Sequence, residues 1–429
     1  MKIKLHVISI IVFCNVLLLT PTLAITPEPA ANNNSKVAIT GATLHTVSNG
    51  VIENGILTFE NGKITGVYQA GGIDISGYQT INGEGQHVYP GFVMPDSQLG
   101  LVEVDALRHT RDFRERGDLN PSVRTLTSFN TDSELIPTMR FNGILIAQIA
   151  PVGGLVSGTS SIVQLDAWNW EDAALKIDDG VHINWPAKSY FQYDVSSDSI
   201  VLEPNKSYAD DRSALTTLFK DAAVNQDGDN LKLKALAGVF DGSQTLYLYA
   251  DKPNTIIEAI TLLKQAGVKR LVLKSGAGAL LATEVLLQHN IPVIIDTLHN
   301  LPAQDHHDID QVFRLPQELQ ARGIRVGLSN NSWLMSSRNL AFNAGSAVAY
   351  GMPKDQALRM ITLSNAEILG IADRVGSLEV GKDATLFISR GDALDMRGQQ
   401  LTMAWIEGRQ IELEATQQEL YQRFKEKYR

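Results

Sequence analysis

The densest run of metal-ligating side chains is "DTLHNLPAQDHHDIDQVF". It holds Asp296, His299, Asp305, His306, His307, Asp308 and Asp310. Imidazole nitrogens and carboxylate oxygens bind divalent ions, and a bound ion can turn water into a nucleophile near neutral pH. A loop that gathers His299, Asp305 and His307 would offer such a site. Adjacent His306 and His307 would point different ways on either a helix or a strand. The blander reading of the same residues is a solvated loop with a polar face.

Other chemistries find less support. No Gly-x-Ser-x-Gly elbow is present, which leaves a nucleophilic serine without its usual turn. "GGLVSGTSS" is rich in glycine but lacks the lysine and spacing of a phosphate loop. Cys14 is the only cysteine. It falls in the N-terminal apolar run, so thiolate and disulfide chemistry are closed to the mature chain. "RHTRDFRERGDLNPSVR", from Arg108 to Arg124, reads as an exposed helix or loop with mixed ion pairs. Its functional alternative is a rim that recognises acidic or peptide-like ligands through arginine.

Any such site needs elements to position it. Residues 1–24 combine Lys2 and Lys4, an apolar stretch from Ile8 to Leu19, and Thr22-Leu23-Ala24. This pattern is that of a secretory signal peptide cut near Ala24, so the expected location is the periplasm or beyond. Phe13 before Cys14 is too bulky for lipoprotein processing there. No later apolar run approaches membrane-spanning length. The chain has 429 residues and a net charge of -10. An acidic chain with no basic run argues against nucleic-acid or anionic-membrane partners.

A polar linker over 25–35 precedes a β-rich segment over 36–89, with hairpin signals at Asn54-Gly55 and Asn61-Gly62. Over 90–371 apolar strands alternate with helical stretches, as in "LYLYADKPNTIIEAITLLKQAG". That rhythm predicts a parallel sheet, and closure into an eight-stranded barrel accounts for the length. Short strands return over 372–412, and a charged helix occupies 413–429. The two β-rich ends are expected to pair into one β-sandwich-like domain.

"HVYPGFVMPD", "NLAFNAGSAVAYGMPKDQALRMITLSNAEILGI" and "RVGSLEVGKDATLFI" together resemble the amidohydrolase superfamily, in its imidazolonepropionase-like secreted branch. The resemblance implies a distorted (β/α)8 TIM-like barrel with a composite β-sandwich. It also implies one or two divalent metals, commonly zinc, at the C-terminal ends of barrel strands. "GGLVSGTSSIVQLDAWNWEDAALK" resembles a barrel-loop segment of that branch.

The residues that the resemblance assigns to the metal are replaced. The first strand should end in His-x-His, and this chain has Asp96 and Gln98. A carboxylate binds zinc, whereas a glutamine carbonyl suits hard cations better. The mid-barrel histidine position holds Tyr249, a poor ligand while its phenol stays protonated. The next strand offers no histidine, with Gly276 or Gly278 near the place. No strand-borne lysine stands out as a carbamylated bridge; Lys274 is the one lysine left open. The catalytic aspartate position falls on Asn330 or Asn331, with the choice between them open. An amide cannot act as the base there.

The loop with His299, Asp305 and His307 is expected after the seventh strand, at the mouth, as the one weak alternative metal site. Trp168, Trp170 and Trp185 are expected to pack a loop against that mouth. His45 reads as structural, His87 as preceding the barrel, and His109 and His182 as loop residues. The expectation is therefore a periplasmic amidohydrolase-like protein without the usual metal-dependent activity and with no cofactor. It would act as a ligand-binding protein or as the partner of an active amidohydrolase homologue, or form a homodimer. The alternative is a hydrolase of C–N bonds that uses zinc or another divalent metal at a rearranged site.

Overall fold

The computed structural model describes residues 28–195, 197–225, 229–302, 308–330 and 334–428. The expected signal peptide with Cys14 lies outside the described residues. So do Asp305, His306, His307 and Asn331.

The chain first lays down β1 (Val37–His45), β2 (Val51–Glu60), β3 (Lys63–Gln69), β4 (Gln79–Asn82) and β5 (His87–Pro90). Next come β6 (Phe92–Ser97), β7 (Ile144–Ile149), β8 (Val156–Gln164) and β9 (Ala174–Asn184). A hairpin of β10 (Ser189–Asp194) and β11 (Ser199–Pro204) precedes β12 (Thr245–Tyr249), β13 (Arg270–Lys274), β14 (Val293–Ile295) and β15 (Val326–Leu328). The chain returns in β16 (Leu386–Ser389), β17 (Leu401–Ile406) and β18 (Arg409–Ile411), and ends in the helix Thr416–Lys427.

The terminal strands form one eight-stranded sheet. Its order is β18-β17-β16-β5-β1-β2-β3, with β4 beside β1. β5 joins the two ends of the chain, running parallel to β1 and antiparallel to β16. Alternating β-branched and aromatic residues (Val37, Ile39, Phe59, Ile64, Ile388 and Trp405) bury a common core, as half-buried strands do. Asn61 and Gly62 sit at φ 50° and 79° in the tight turn between β2 and β3, where both central residues need positive φ. Asn54-Gly55 was expected to make a second hairpin and does not. It lies inside β2, with Asn54 at φ 50°, where the β1 register shifts. The dipeptide's positive-φ tolerance is spent on a bulge.

His45 and His87 stand in β1 and β5. Their rings bond at 3.0 Å between Nε2 and Nδ1, and His45 stacks on Tyr89. Burial, and then the neighbouring His87, push the His45 pKa down to about 4.

The second sheet is a distorted TIM-like α/β barrel of order β15-β14-β13-β12-β9-β8-β7-β6. β6 and β7 are parallel, and β9, β12, β13, β14 and β15 are parallel in succession. β8 runs antiparallel to both β7 and β9. This corrects the expectation of a loop at "GGLVSGTSSIVQL": all nine residues of β8 are buried. The reason is length. Only residues 150–155 connect β7 to β8, and a parallel crossover needs about a dozen residues or more.

Side chains alternate across the barrel wall. Leu246, Leu248, Leu271 and Leu273 face the surrounding helices. Val93, Ile146, Ile162, Tyr247, Val272 and Ile294 meet one another from six strands, which is possible only inside the barrel. Ala366, Ile368 and Leu369 of the helix Leu363–Leu369 close that layer from below.

The edge strands β6 and β15 do not pair by backbone. Asn365 joins them instead. Its Nδ2 donates to Val93 O at 2.7 Å and to Leu328 O at 2.9 Å. Ser329 Oγ adds a bond to Pro95 O at 2.8 Å. A Cβ on Gly327 would lie 2.2 Å from Asn365 Oδ1, so glycine is required for Asn365 to reach both edges.

Two outcomes follow from these contacts. Asn365→Ala leaves two buried carbonyls short of a donor and should cost about 2–4 kcal/mol, read as a lower urea midpoint. The folded state resists protonating His45, whereas the unfolded chain accepts the proton at its ordinary 6.5. This part of the stability is therefore complete above pH 6.5 and is lost as pH falls toward about 4. His45→Phe should flatten that limb of a pH series of thermal midpoints.

Candidate functional site

The C-terminal end of β6 is built to turn one carboxylate inward. Met94 lies opposite Ala147, but Ser97 lies opposite Ile149, so β6 carries one extra residue. Asp96 absorbs it at φ 56°, a conformation that aspartate tolerates better than most residues. Its N–H leaves the ladder and donates to Gln148 Oε1 at 2.9 Å. A bulge of this kind redirects a side chain. The Asp96 carboxylate, only 6% exposed, receives the Lys274 ammonium at 2.6 Å. Lys274 is the last residue of β13 and sits opposite Tyr249. Burial pushes the Asp96 carboxyl above its usual range, and the Lys274 charge and hydrogen bond oppose that shift.

A second polar group lies deeper in the barrel. Between Ser160 and Ile162 of β8, β9 runs from Gly180 back to Lys176, with Asp178 at φ 51°. This bulge turns Asp179 inward. Asp179 is fully buried and accepts from Tyr247 at 2.6 Å, Ser160 at 2.7 Å and Gln148 at 2.9 Å. Burial raises its pKa, against the pull of these donors and of Lys176.

His182 links the two groups. Its Nε2 lies 2.9 Å from Ser160 Oγ, its ring stacks on Tyr247, and its Nδ1 is 3.8 Å from Asp96 Oδ1. Ser160 has one hydroxyl proton. With that proton on Asp179, His182 must donate from Nε2 and keep Nδ1 as an acceptor. His182 Nδ1 is buried with no hydrogen-bond partner. Burial, helped by Lys274, holds the His182 pKa well below 6.5, so the ring is neutral.

The residues singled out by sequence scatter around this centre. Asp96 is in it. Gln98 lies just beyond β6, after Ser97; its Nε2 is buried with no partner. The shared strand face expected for positions 96 and 98 is broken by the Asp96 bulge. Tyr249 is 47% exposed. Its pKa is raised by burial and by Asp251, Asp296 and Asp96, so it stays a phenol. Asn330 is buried, and its Nδ2 donates to Ser336 O, so its amide ties down the following turn. His299 does follow β14, but its Nε2 bonds Ser346 Oγ at 2.9 Å and its ring meets Phe313 edge-on. Asn331, Asp305 and His307 lie outside the described residues.

Other expectations need correction. His182 is on β9 inside the barrel, not in a loop. The three tryptophans do not act together: Trp168 is 63% exposed, whereas Trp185 is buried. Trp185 lines a cavity of about 230 Å³ with Arg212, Leu215 and Phe219. Asp179, Ser160, Gln148 and Tyr247 were missed. The available signal was hydroxyls and an amide within otherwise apolar strands, which is costly unless partners are present.

The donor set does not fit a divalent metal. Asp96 already holds an ammonium, Tyr249 keeps its proton, Asn330 is committed as a donor, and His182 bonds Ser160 and stacks on Tyr247. Among the described residues, no three His, Cys, Asp or Glu side chains converge as a metal site. The arrangement provides a buried ion pair, one orphan imidazole acceptor and one orphan amide donor.

Residues 237–411 match the sequence profile of the amidohydrolase family. No curated protein matches the chain. Among solved structures, an amidohydrolase from Thermotoga maritima MSB8 is similar with a TM-score of 0.76 and 21% identity, over 88% of this chain and 99% of that one. A putative prolidase from Bifidobacterium longum is similar at 0.55 and 14%, over 92% of this chain and 100% of that one. An adenosine deaminase from Xanthomonas campestris with bound zinc is similar at 0.51 and 14%, over 90% and 93%. These likenesses establish the fold: an amidohydrolase-like barrel with a composite β-domain.

Lys274→Met tests the ion pair. It leaves Asp96 buried without its counter-charge and should cost about 3–5 kcal/mol at neutral pH. The folded variant holds a proton on Asp96 that the unfolded chain releases above 3.8, so its deficit should grow as pH rises above that value. Adding Asp96→Asn should recover most of the loss in a denaturant series.

Proposed function

We propose that this chain is a periplasmic binding protein on a hydrolase fold, in which metal-dependent hydrolysis has been given up. The observation that carries this reading is the Lys274–Asp96 pair. The ammonium supplies, at 2.6 Å, the positive charge that a metal would otherwise bring to the same carboxylate. The site keeps its buried polar layer while losing the water-activating centre. Solved neighbours described as a prolidase and a zinc-bound deaminase mark the chemistry that this chain has left.

The loop after β6 supports a ligand class. It carries a groove of about 660 Å³ in which Arg108, Arg111, Arg114 and Arg116 outnumber the two acids, Glu115 and Asp118. Bridges from Leu119 to Val156 and from Arg124 to Thr159 tie that loop to β8. Arg111 is engaged by Asp105. The other guanidiniums suit carboxylates, which they grip in pairs of hydrogen bonds. The favoured ligand is a small carboxylate-bearing molecule such as a dipeptide.

After growth with added zinc and manganese, elemental analysis of the mature protein should find below about a tenth of an equivalent of either metal, since affinity follows a complete ligand set. Prolyl dipeptides should not be hydrolysed. Calorimetric titration with the same dipeptides should show binding, and Arg114→Ala with Arg116→Ala should weaken it roughly tenfold or more. Near-stoichiometric metal together with turnover would sink this reading and leave the hydrolase with a rearranged site.

A further inference from the structure

The ribbon of β10 and β11 belongs to neither large sheet. Phe191 lies opposite Leu202, and Tyr193 opposite Ile200. Directly paired and alternate residues share a face, so these four side chains form one apolar surface. They are 70%, 55%, 55% and 70% exposed for Phe191, Leu202, Tyr193 and Ile200. The opposite face carries Gln192, Asp194 and Glu203 among its residues and is the more polar side. The base of the ribbon is fixed: Lys252 Nζ donates to Ser189 Oγ at 2.8 Å, and Asn205 Nδ2 to Ala187 O at 2.9 Å. The ribbon therefore holds its apolar face toward water. From these exposures the patch measures about 500 Å², in the upper part of the range of the largest apolar patch on an ordinary monomer, and such patches are often functional.

We propose that this face is where two copies of the chain associate, packed face to face about a two-fold axis. Its four central side chains carry no charge, so its complement must be apolar and equally flat. A second copy supplies the identical surface by symmetry. Charge fixes the direction. The tip of the ribbon carries Asp198, held by the Tyr193 hydroxyl of the apolar face. The base carries Lys188, Lys206 and Lys252, opposed by Glu203 and by Glu258, which pairs with Lys188. Antiparallel ribbons lay each acidic tip on the partner's basic base. Parallel ribbons would set tip against tip. Two such faces bury about 1,000 Å², the lower bound of a specific interface.

Sedimentation velocity on the full mature chain, from roughly 1 to 100 µM, covers the range expected for an interface of this size. The wild type should be a dimer across the upper part of that range. Phe191→Asp and Ile200→Asp should each shift it to monomer with an unchanged far-UV spectrum. Asp198→Lys, confined to the exposed tip, should weaken the dimer roughly tenfold even if a face variant misfolds, and added salt should weaken the wild type in the same direction. A wild type that is monomeric at the highest concentration overturns the proposal, including where the face then binds an active homologue instead. A dimer indifferent to Phe191→Asp and to the tip charge overturns it equally.

Discussion

A charge inside a barrel must be matched there, because water is not available to match it. Asp96, held inward by a bulge, imposes that constraint on everything around it. Lys274 answers with an ammonium at 2.6 Å. His182 answers by staying neutral, because burial disfavours its cation and the neighbouring Lys274 charge adds to that. Asp179, one layer deeper, is served by three hydrogen-bond donors rather than by a full counter-charge. Each solution lies at the inward-facing positions of different strands, so the registers of the barrel and the chemistry of its interior are one problem.

The barrel itself closes by an indirect device. Seven parallel-sense strands and one antiparallel strand complete the wall, and the last gap is spanned by the carboxamide of Asn365. That side chain requires a glycine opposite it at Gly327. The helix that carries Asn365 also caps the apolar lower layer. Closure, core packing and the footing of the polar layer thus share one short helix.

Much of the fold was legible in the sequence, because its signals are local. Strand–helix alternation after β9, the Asn61-Gly62 turn and the β-rich ends are each set by a few neighbouring residues. β8 was not legible as a strand, because its direction is set by the shortness of residues 150–155 rather than by its own pattern. The importance of position 96 was visible, but its role depends on Lys274, a residue 178 positions away. Asp179 was missed, and His182 was placed in a loop, for a related reason. Bulges at Asp96 and Asp178 turn side chains against the simple alternation that sequence reading assumes. Asn54-Gly55 failed in the opposite sense: the right conformation, positive φ, was used inside a strand instead of at a turn.

Crystals grown with zinc and measured at the zinc absorption edge test the central claim most directly. The account predicts electron density for the Lys274 ammonium against Asp96, at the 2.6 Å found here, and no anomalous peak beside that carboxylate. An anomalous peak bound by Asp96, with Lys274 turned away from it, would contradict the claim that the lysine has taken the metal's place.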